Sequence, residues 1–540
     1  MASSIAAGRL LATILVIGSI ARGAAQAADQ AVMLDTGKIS GSRDGDGRVR
    51  IYKGIPYAAP PVGKLRWQPP QRPAAWEGVR ACTQFSPVCP QQPYPASSVY
   101  AQPPQPQSED CLYVNVWTSA EKTDAKLPVM VWIHGGALTR GSGSLGVYDG
   151  TNLARRGVVL VTLNYRLGPF GYLAHPALTK ESQHRSSGNY GVLDQIAALE
   201  WVQRNIGAFG GDPNRVTIFG ESAGSWSVCA LVATPLAKGL FQGAIGQSGG
   251  CFAPMQFLSE DRNGQPAAEK GGESLARALG IEPPAVDVLA NMRAKSAEEV
   301  LVAASKDPGQ RTRANVDGWV FPEEILNIYS AGKQNPAAVM VGSNADEGTS
   351  LAGAGVPTSR DAFLAAAKRK YDELFDGFLK VYPVESEADV RSAFLHSFRD
   401  ERFTWEMRTW ARLTSEHGGK AYQYFFSRVP PRPDAATYGA YHAAEIPYVF
   451  DNLSKMPWKS EAADLALADA IAGAWTRFAK AGDPNGDKLP PWTAYSSQSR
   501  PYLDFGDTVR AGHNLLDAQC DFYDKYYAAR RANPQLGAAN

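Results

Sequence analysis

Short, continuously apolar runs recur along the chain at residues 49–52, 112–117, 128–133, 158–164, 216–219 and 338–341. Unbroken runs of this kind, as opposed to strict alternation, belong to strands covered on both faces. Residues 190–206 repeat apolar groups at three- and four-residue intervals and end before a Gly-Gly-Asp-Pro break at 210–213, which predicts an amphipathic helix. Strands alternating with helices predict an α/β fold whose central sheet is large and mostly parallel. At residues 261–321 and 359–417 the pattern turns helical and more polar. These stretches are expected to be insertions over the sheet, with pocket walls near 315–321 and 404–410. No repeat or Gly/Ser linker divides the chain, so one elaborated domain is expected over residues 28–540.

At 540 residues and 44% hydrophobic content the chain can bury an extensive core, which excludes a disordered tail or a small disulfide scaffold. Its 54 Lys+Arg against 53 Asp+Glu, with no basic block, offer no electrostatic footprint for nucleic acid or an anionic membrane. A small, weakly charged partner is expected, acting on a monomer or weak homodimer. Residues 1–27 change the picture: Arg9, the apolar run 10–20 and Ala25-Gln26-Ala27 before Ala28 have the layout of a secretory signal. That run would rise only about 16 Å as a helix, too short for hydrocarbon roughly 30 Å thick. Export to the periplasm or the exterior is expected, with no stable membrane insertion once the signal is removed.

Export gives the six cysteines a chance to oxidise. Cys89 and Cys111 bracket a Pro/Gln-rich stretch, and a clip there would stabilise the fold by roughly 3 kcal/mol; Cys82 competes as a partner. Cys229 and Cys251 lie in apolar surroundings and are expected to be buried thiols, and Cys520 has no evident mate.

The strongest chemical signal is Gly220-Glu221-Ser222-Ala223-Gly224, placed after an apolar strand and before a helix-compatible run. A strand-to-helix turn of this kind presents Ser222 as a nucleophile, and the flanking glycines admit close backbone. His134-Gly135-Gly136-Ala137 follows the strand at 128–133, so the amides of Gly136, Ala137 and Ala223 are candidate oxyanion donors. His134 fits a supporting role in that turn better than a general base. The order nucleophile, acid, histidine sets aside His134, His175 and His184 and leaves His396, His417, His442 and His513. Among these His442 lies in a mixed polar and aromatic segment, whereas His417 reads as an exposed helix end. For the acid, Asp346 and Glu347 both follow the strand at 338–341, and residue physics leaves the choice open.

With these motifs, and with YKGIPYAAPPVGKLRW at 52–67, SEDCLYVNVW at 108–117 and LNYRLGPFGYL at 163–173, the chain resembles the type-B carboxylesterase and cholinesterase-like family of α/β-hydrolases over nearly its whole length. The resemblance implies an α/β-hydrolase fold and a serine esterase with the triad Ser222, Glu347 and His442, without metal or organic cofactor. It also implies a Cys89–Cys111 disulfide and an Arg66–Glu109 ion pair. The second disulfide of animal members has no evident counterpart. The loop ahead of Ser108 contains Tyr100 and no Trp, so the indole platform for a quaternary ammonium is missing. The expected substrate is a small-molecule carboxylic ester. Lipase, polyester hydrolase and amidase activity are alternatives within the same chemistry; a catalytically silent adhesion protein is the alternative outside it.

Overall fold

The computed structural model describes residues 31–262, 264–282, 287–306, 313–533 and 536. The expected signal segment lies outside them. Eleven strands form the main sheet: β1 (Ser42–Arg43), β2 (Arg50–Pro56), β3 (Tyr113–Thr118), β4 (Leu127–Ile133), β5 (Val159–Leu163), β6 (Gly211–Glu221), β7 (Gly243–Gln247), β8 (Ala338–Asn344), β9 (Ala421–Phe426), β10 (Pro501–Phe505) and β11 (Val509–His513). Their spatial order is β11-β10-β9-β8-β7-β6-β4-β5-β3-β2-β1, parallel from β10 to β5 and antiparallel towards both edges.

Strand β4 shows why the apolar runs are continuous. Val129, Val131 and Ile133 enter the core on one face, Met130 and Trp132 the core on the other. Helices α1 (Tyr190–Asn205) and α2 (Ala223–Ala233) cover the first face, and α4 (Ala462–Ala481) covers the second through Ile471, Trp475 and Phe478. Helix α3 (Trp405–Glu416) joins the first core with Met407 and Trp410. Each fully buried side chain of this size contributes roughly 1.5–3 kcal/mol. Helix α1 is further fixed by Asp194, whose buried carboxylate receives Arg166 Nε at 2.8 Å and Nη2 at 2.7 Å.

The chain leaves β4 for β5 on one side and later leaves β6 for β7 on the other. Connections that diverge from neighbouring parallel strands open a crevice at the strands' carboxyl ends. That crevice brings the glycine turn after β4 beside Ser222 after β6.

Several expectations change in detail. Gly210, in the left-handed region at φ 80°, ends the helical stretch, but β6 already begins at Gly211, so the Gly-Gly-Asp-Pro break lies partly inside a strand. Cys89–Cys111 is bonded, and so is Cys229–Cys251, which corrects the expectation of two buried thiols; the bridge ties α2 to the loop after β7. Cys82 and Cys520 are free and buried. Arg66 Nε reaches Glu109 Oε2 at 2.7 Å as anticipated. Residues 315–321 are largely core, with Asn315, Val320 and Phe321 buried. The wall instead comes from Arg313, Ala314 and the residues around 401–406.

Candidate active site

Ser222 sits between β6 and α2 at φ 56°, ψ −122°, a backbone conformation that non-glycine residues adopt only where the surroundings enforce it. The enforcement is visible on both sides. Ser222 N–H donates to Gln247 O at 2.8 Å, and Trp226 N–H donates to Ser222 O at 2.9 Å. A Cβ at Gly224 would stand 2.0 Å from Ile133 O, and one at Gly220 2.6 Å from the Gly224 carbonyl. Only glycine permits that approach at either position.

The turn after β4 bends through three consecutive residues in the positive-φ region: Gly136 (107°), Ala137 (57°) and Leu138 (60°). Its carbonyls are used, since Gly136 O accepts from Thr139 and Arg140 and Leu138 O from Gly168. The N–H groups of Gly136, Ala137 and Ala223 donate to no acceptor among the described residues. Ala137 and Ala223 line the same cavity as Ser222. His134 supports this turn, stacked on Tyr165 at 4.5 Å with Nδ1 2.8 Å from Gly135 O. Burial pushes its pKa down to about 4, so it stays neutral.

Beyond β8, Glu347 is fully buried and accepts Asn344 N–H at Oε1 (2.8 Å). Its Oε2 lies 2.5 Å from His442 Nδ1. Asp346, the neighbouring candidate, turns the other way: it accepts Ala440 N–H at 2.8 Å and fastens the segment that carries His442. Tyr100 fastens the same segment by donating to His442 O at 3.0 Å. His396, His417 and His513 are exposed and make no described contact with Glu347 or His442; His396 instead lines a separate pocket with Asp346 and Gly348.

Sequence reasoning passed over three neighbours of His442. Glu221 Oε1 lies 3.0 Å from Nε2, the ring of Phe403 lies 4.8 Å away, and Glu445 is buried behind, accepting Gln247 Nε2 (2.9 Å) and Asn344 Nδ2 (2.7 Å). The Glu445 position carries a signal, three residues after His442. Phe403 carries none, because it arrives on a distant insertion through a π-helical turn, Asp400–Thr404. Burial lowers the His442 pKa, but Glu221, Glu347 and then Glu445 outweigh it and raise it to about 9. Burial pushes Glu221 up to about 8, with the positive imidazole opposing. The described contacts contain no Ser222 Oγ–His442 hydrogen bond; Nε2 approaches Glu221 Oε1 to 3.0 Å without forming a hydrogen bond to it.

The cavity in front of Ser222 measures about 930 Å³ and is bounded by Trp226, Met255, Phe403 and Glu406 among others. Among the described residues no group of three or more His, Cys, Asp or Glu is arranged to hold a metal ion, and no helix is long and apolar enough to cross a membrane.

Residues 28–523 match the model of the carboxylesterase family. The chain belongs to the carboxylesterase family. Family membership makes it a serine hydrolase of carboxylic esters, with a small-molecule ester as substrate. It is 36% identical to a fumonisin B1 esterase of Sphingopyxis macrogoltabida, covering 88% of this chain and 87% of that one. It is 38% identical to a para-nitrobenzyl esterase of Bacillus subtilis (strain 168), covering 88% and 94%. Among solved structures, a Geobacillus stearothermophilus carboxylesterase superposes with a TM-score of 0.79 at 33% identity, covering 92% of this chain and 100% of that one.

Proposed function

We propose that this carboxylesterase works through Ser222 as nucleophile, His442 as general base and acid, and Glu347 as the group that orients the imidazole. The amides of Gly136, Ala137 and Ala223 receive the oxyanion. The observation that carries this reading is the convergence, at one crevice, of a strained serine, three partnerless amides and a buried His442–Glu347 pair.

In the reaction His442, held through Nδ1 by Glu347, engages Ser222 Oγ through Nε2, a hydrogen bond of the kind that commonly tightens only when substrate is bound. The imidazole takes the serine proton as Oγ attacks the ester carbonyl, and the three amides hold the developing negative charge. The imidazolium gives its proton to the departing alcohol, then draws one from water, which hydrolyses the acyl-enzyme. Ser222→Ala tests the assignment. The folded variant is expected to lose at least about 10⁴-fold in kcat on 4-nitrophenyl butyrate; hydrolysis at the native rate would sink it.

Export is part of the proposal, with residues 1–27 as a cleaved signal and 28–540 as one catalytic domain. Two disulfides, which form and persist in oxidising compartments, support a periplasmic or extracellular destination, as does a family match that begins at residue 28. N-terminal sequencing of the secreted or periplasmic protein should begin at Ala28. The relatives named above differ in the ester that each is named for, so we assign substrate choice to the cavity wall and not to the triad.

A further inference from the structure

Arginines and carboxylates share the cavity wall. Arg313, Arg402 and Arg530 line it together with Glu401 and Glu406. Both acidic groups are already engaged. Glu401 is held by Lys370, and Glu406 accepts the backbone N–H groups of Phe252 (2.8 Å) and Ala253 (3.2 Å), fixing the loop after β7. Burial moreover raises the Glu406 carboxyl to about 7, which weakens its charge at neutral pH.

Two of the cations are differently placed. The Arg402 guanidinium lies 4.5 Å over the Phe398 ring, and neither Arg402 nor Arg530 forms an ion pair with a described carboxylate. Arg530 Nε is buried without a hydrogen-bond partner. Arg402, an exposed residue, immediately precedes Phe403, whose ring is 4.8 Å from His442, and both line the cavity. Arg530 reaches the same cavity from the C-terminal helix α5 (Asp517–Ala532), one turn beyond Tyr527. A planar guanidinium that lacks a carboxylate and faces a large cavity is matched best by a carboxylate from the ligand, which it can bind with two parallel hydrogen bonds.

We propose that the cavity selects esters bearing a second, ionised carboxyl group, half-esters of dicarboxylic acids, with that carboxylate held by Arg402 and Arg530. The proposal rests on the Ser222 esterase reading and adds the substrate class to it. The chemistry balances as ordinary hydrolysis. The acyl C–O bond breaks, water supplies hydroxyl to the acyl carbon and hydrogen to the alcohol, and the new acid ionises to leave a dicarboxylate and one proton. A neutral chain of equal length would cover the guanidinium groups without bonding them, which costs roughly 10- to 100-fold in selectivity.

Two matched pairs test this with the purified full chain: ethyl hydrogen adipate against ethyl hexanoate, and ethyl hydrogen suberate against ethyl octanoate. Each pair differs only by a carboxylate in place of the terminal methyl group. The expected result is at least a tenfold higher kcat/KM for the half-ester in one pair, falling as NaCl is raised. The preference should drop at least fivefold in Arg402→Gln and Arg530→Gln, mainly through KM. If either variant fails to fold, the wild-type preference and its salt dependence decide alone. Equal or faster hydrolysis of the neutral esters, or a preference that survives in the double variant, overturns the carboxylate site while leaving the esterase intact. A folded enzyme inert towards all four esters and towards 4-nitrophenyl butyrate overturns both.

Discussion

The elbow and the wall of the cavity meet at Ser222 but are built on different principles. The elbow is backbone against backbone: Gly220, Gly224 and Ile133 O leave no space for a side chain, and the groups left to donate there are main-chain amides. The wall is side chain against loop: Glu406 holds the amides of Phe252 and Ala253, Glu324 Oε1 accepts from Met255 N, and the Cys229–Cys251 bridge anchors the loop to α2. Backbone geometry of the first kind admits one solution and fixes the reaction. A wall of the second kind can be repapered residue by residue, which lets one reaction serve many esters.

Breaking the elbow's chemistry should have the largest effect. His442→Ala is expected to lower kcat by about 10⁴-fold or more on 4-nitrophenyl butyrate, and Glu347→Gln by roughly 10²- to 10⁴-fold, with far-ultraviolet circular dichroism unchanged. A variant of either kind retaining a tenth of native kcat would erase the distinction between elbow and wall.

Adding one methyl group to each region sharpens the contrast. Gly224→Ala drives a Cβ to 2.0 Å from a main-chain carbonyl, so kcat should fall by at least about 100-fold, with a loss of stability of about 3 kcal/mol by denaturant titration. Gly250→Ala meets the Glu406 side chain at 2.5 Å and should act mainly on KM.

Glu221 belongs to both regions, next to Ser222 and against His442. Its negative charge raises the His442 pKa, and in the proposed mechanism His442 must be neutral to take the serine proton. Activity therefore rises with pH through the pKa of that group. Removing the charge in Glu221→Gln should lower the His442 pKa and move the acidic limb of kcat/KM towards lower pH by about one unit, measured on a neutral ester. A limb that stays in place or moves upward would remove Glu221 from this role. The smallest effect expected is that of Phe403→Leu, a change of a few-fold in KM that depends on substrate size.

How much was legible follows from the same contrast. The GESAG and HGGA segments are local, since each motif and the strand that presents it lie within a dozen residues. The strands were legible where both faces are covered, as at 128–133, whereas β7 (GAIGQ), β10 and the edge strand β11 escaped, being short, glycine-containing or polar. The choice of Glu347 over Asp346 rested on resemblance, because both carboxylates follow the same strand and only tertiary packing turns one to His442 and the other to Ala440. Phe403, Arg402 and Arg530 could not be read, since the elements that carry them come together only when the insertions fold over the sheet. The Cys229–Cys251 pairing stayed hidden for a similar reason: a helix and a loop, each apolar on its own, show no sign in sequence that they touch.

The most direct test of the central claim is covalent labelling. Treated with a fluorophosphonate and digested, the native protein should carry one adduct, on the peptide containing Ser222, formed in step with the loss of esterase activity and absent in Ser222→Ala. An enzyme that stays fully active without that adduct, or that is inactivated by an adduct on another residue, would contradict the account.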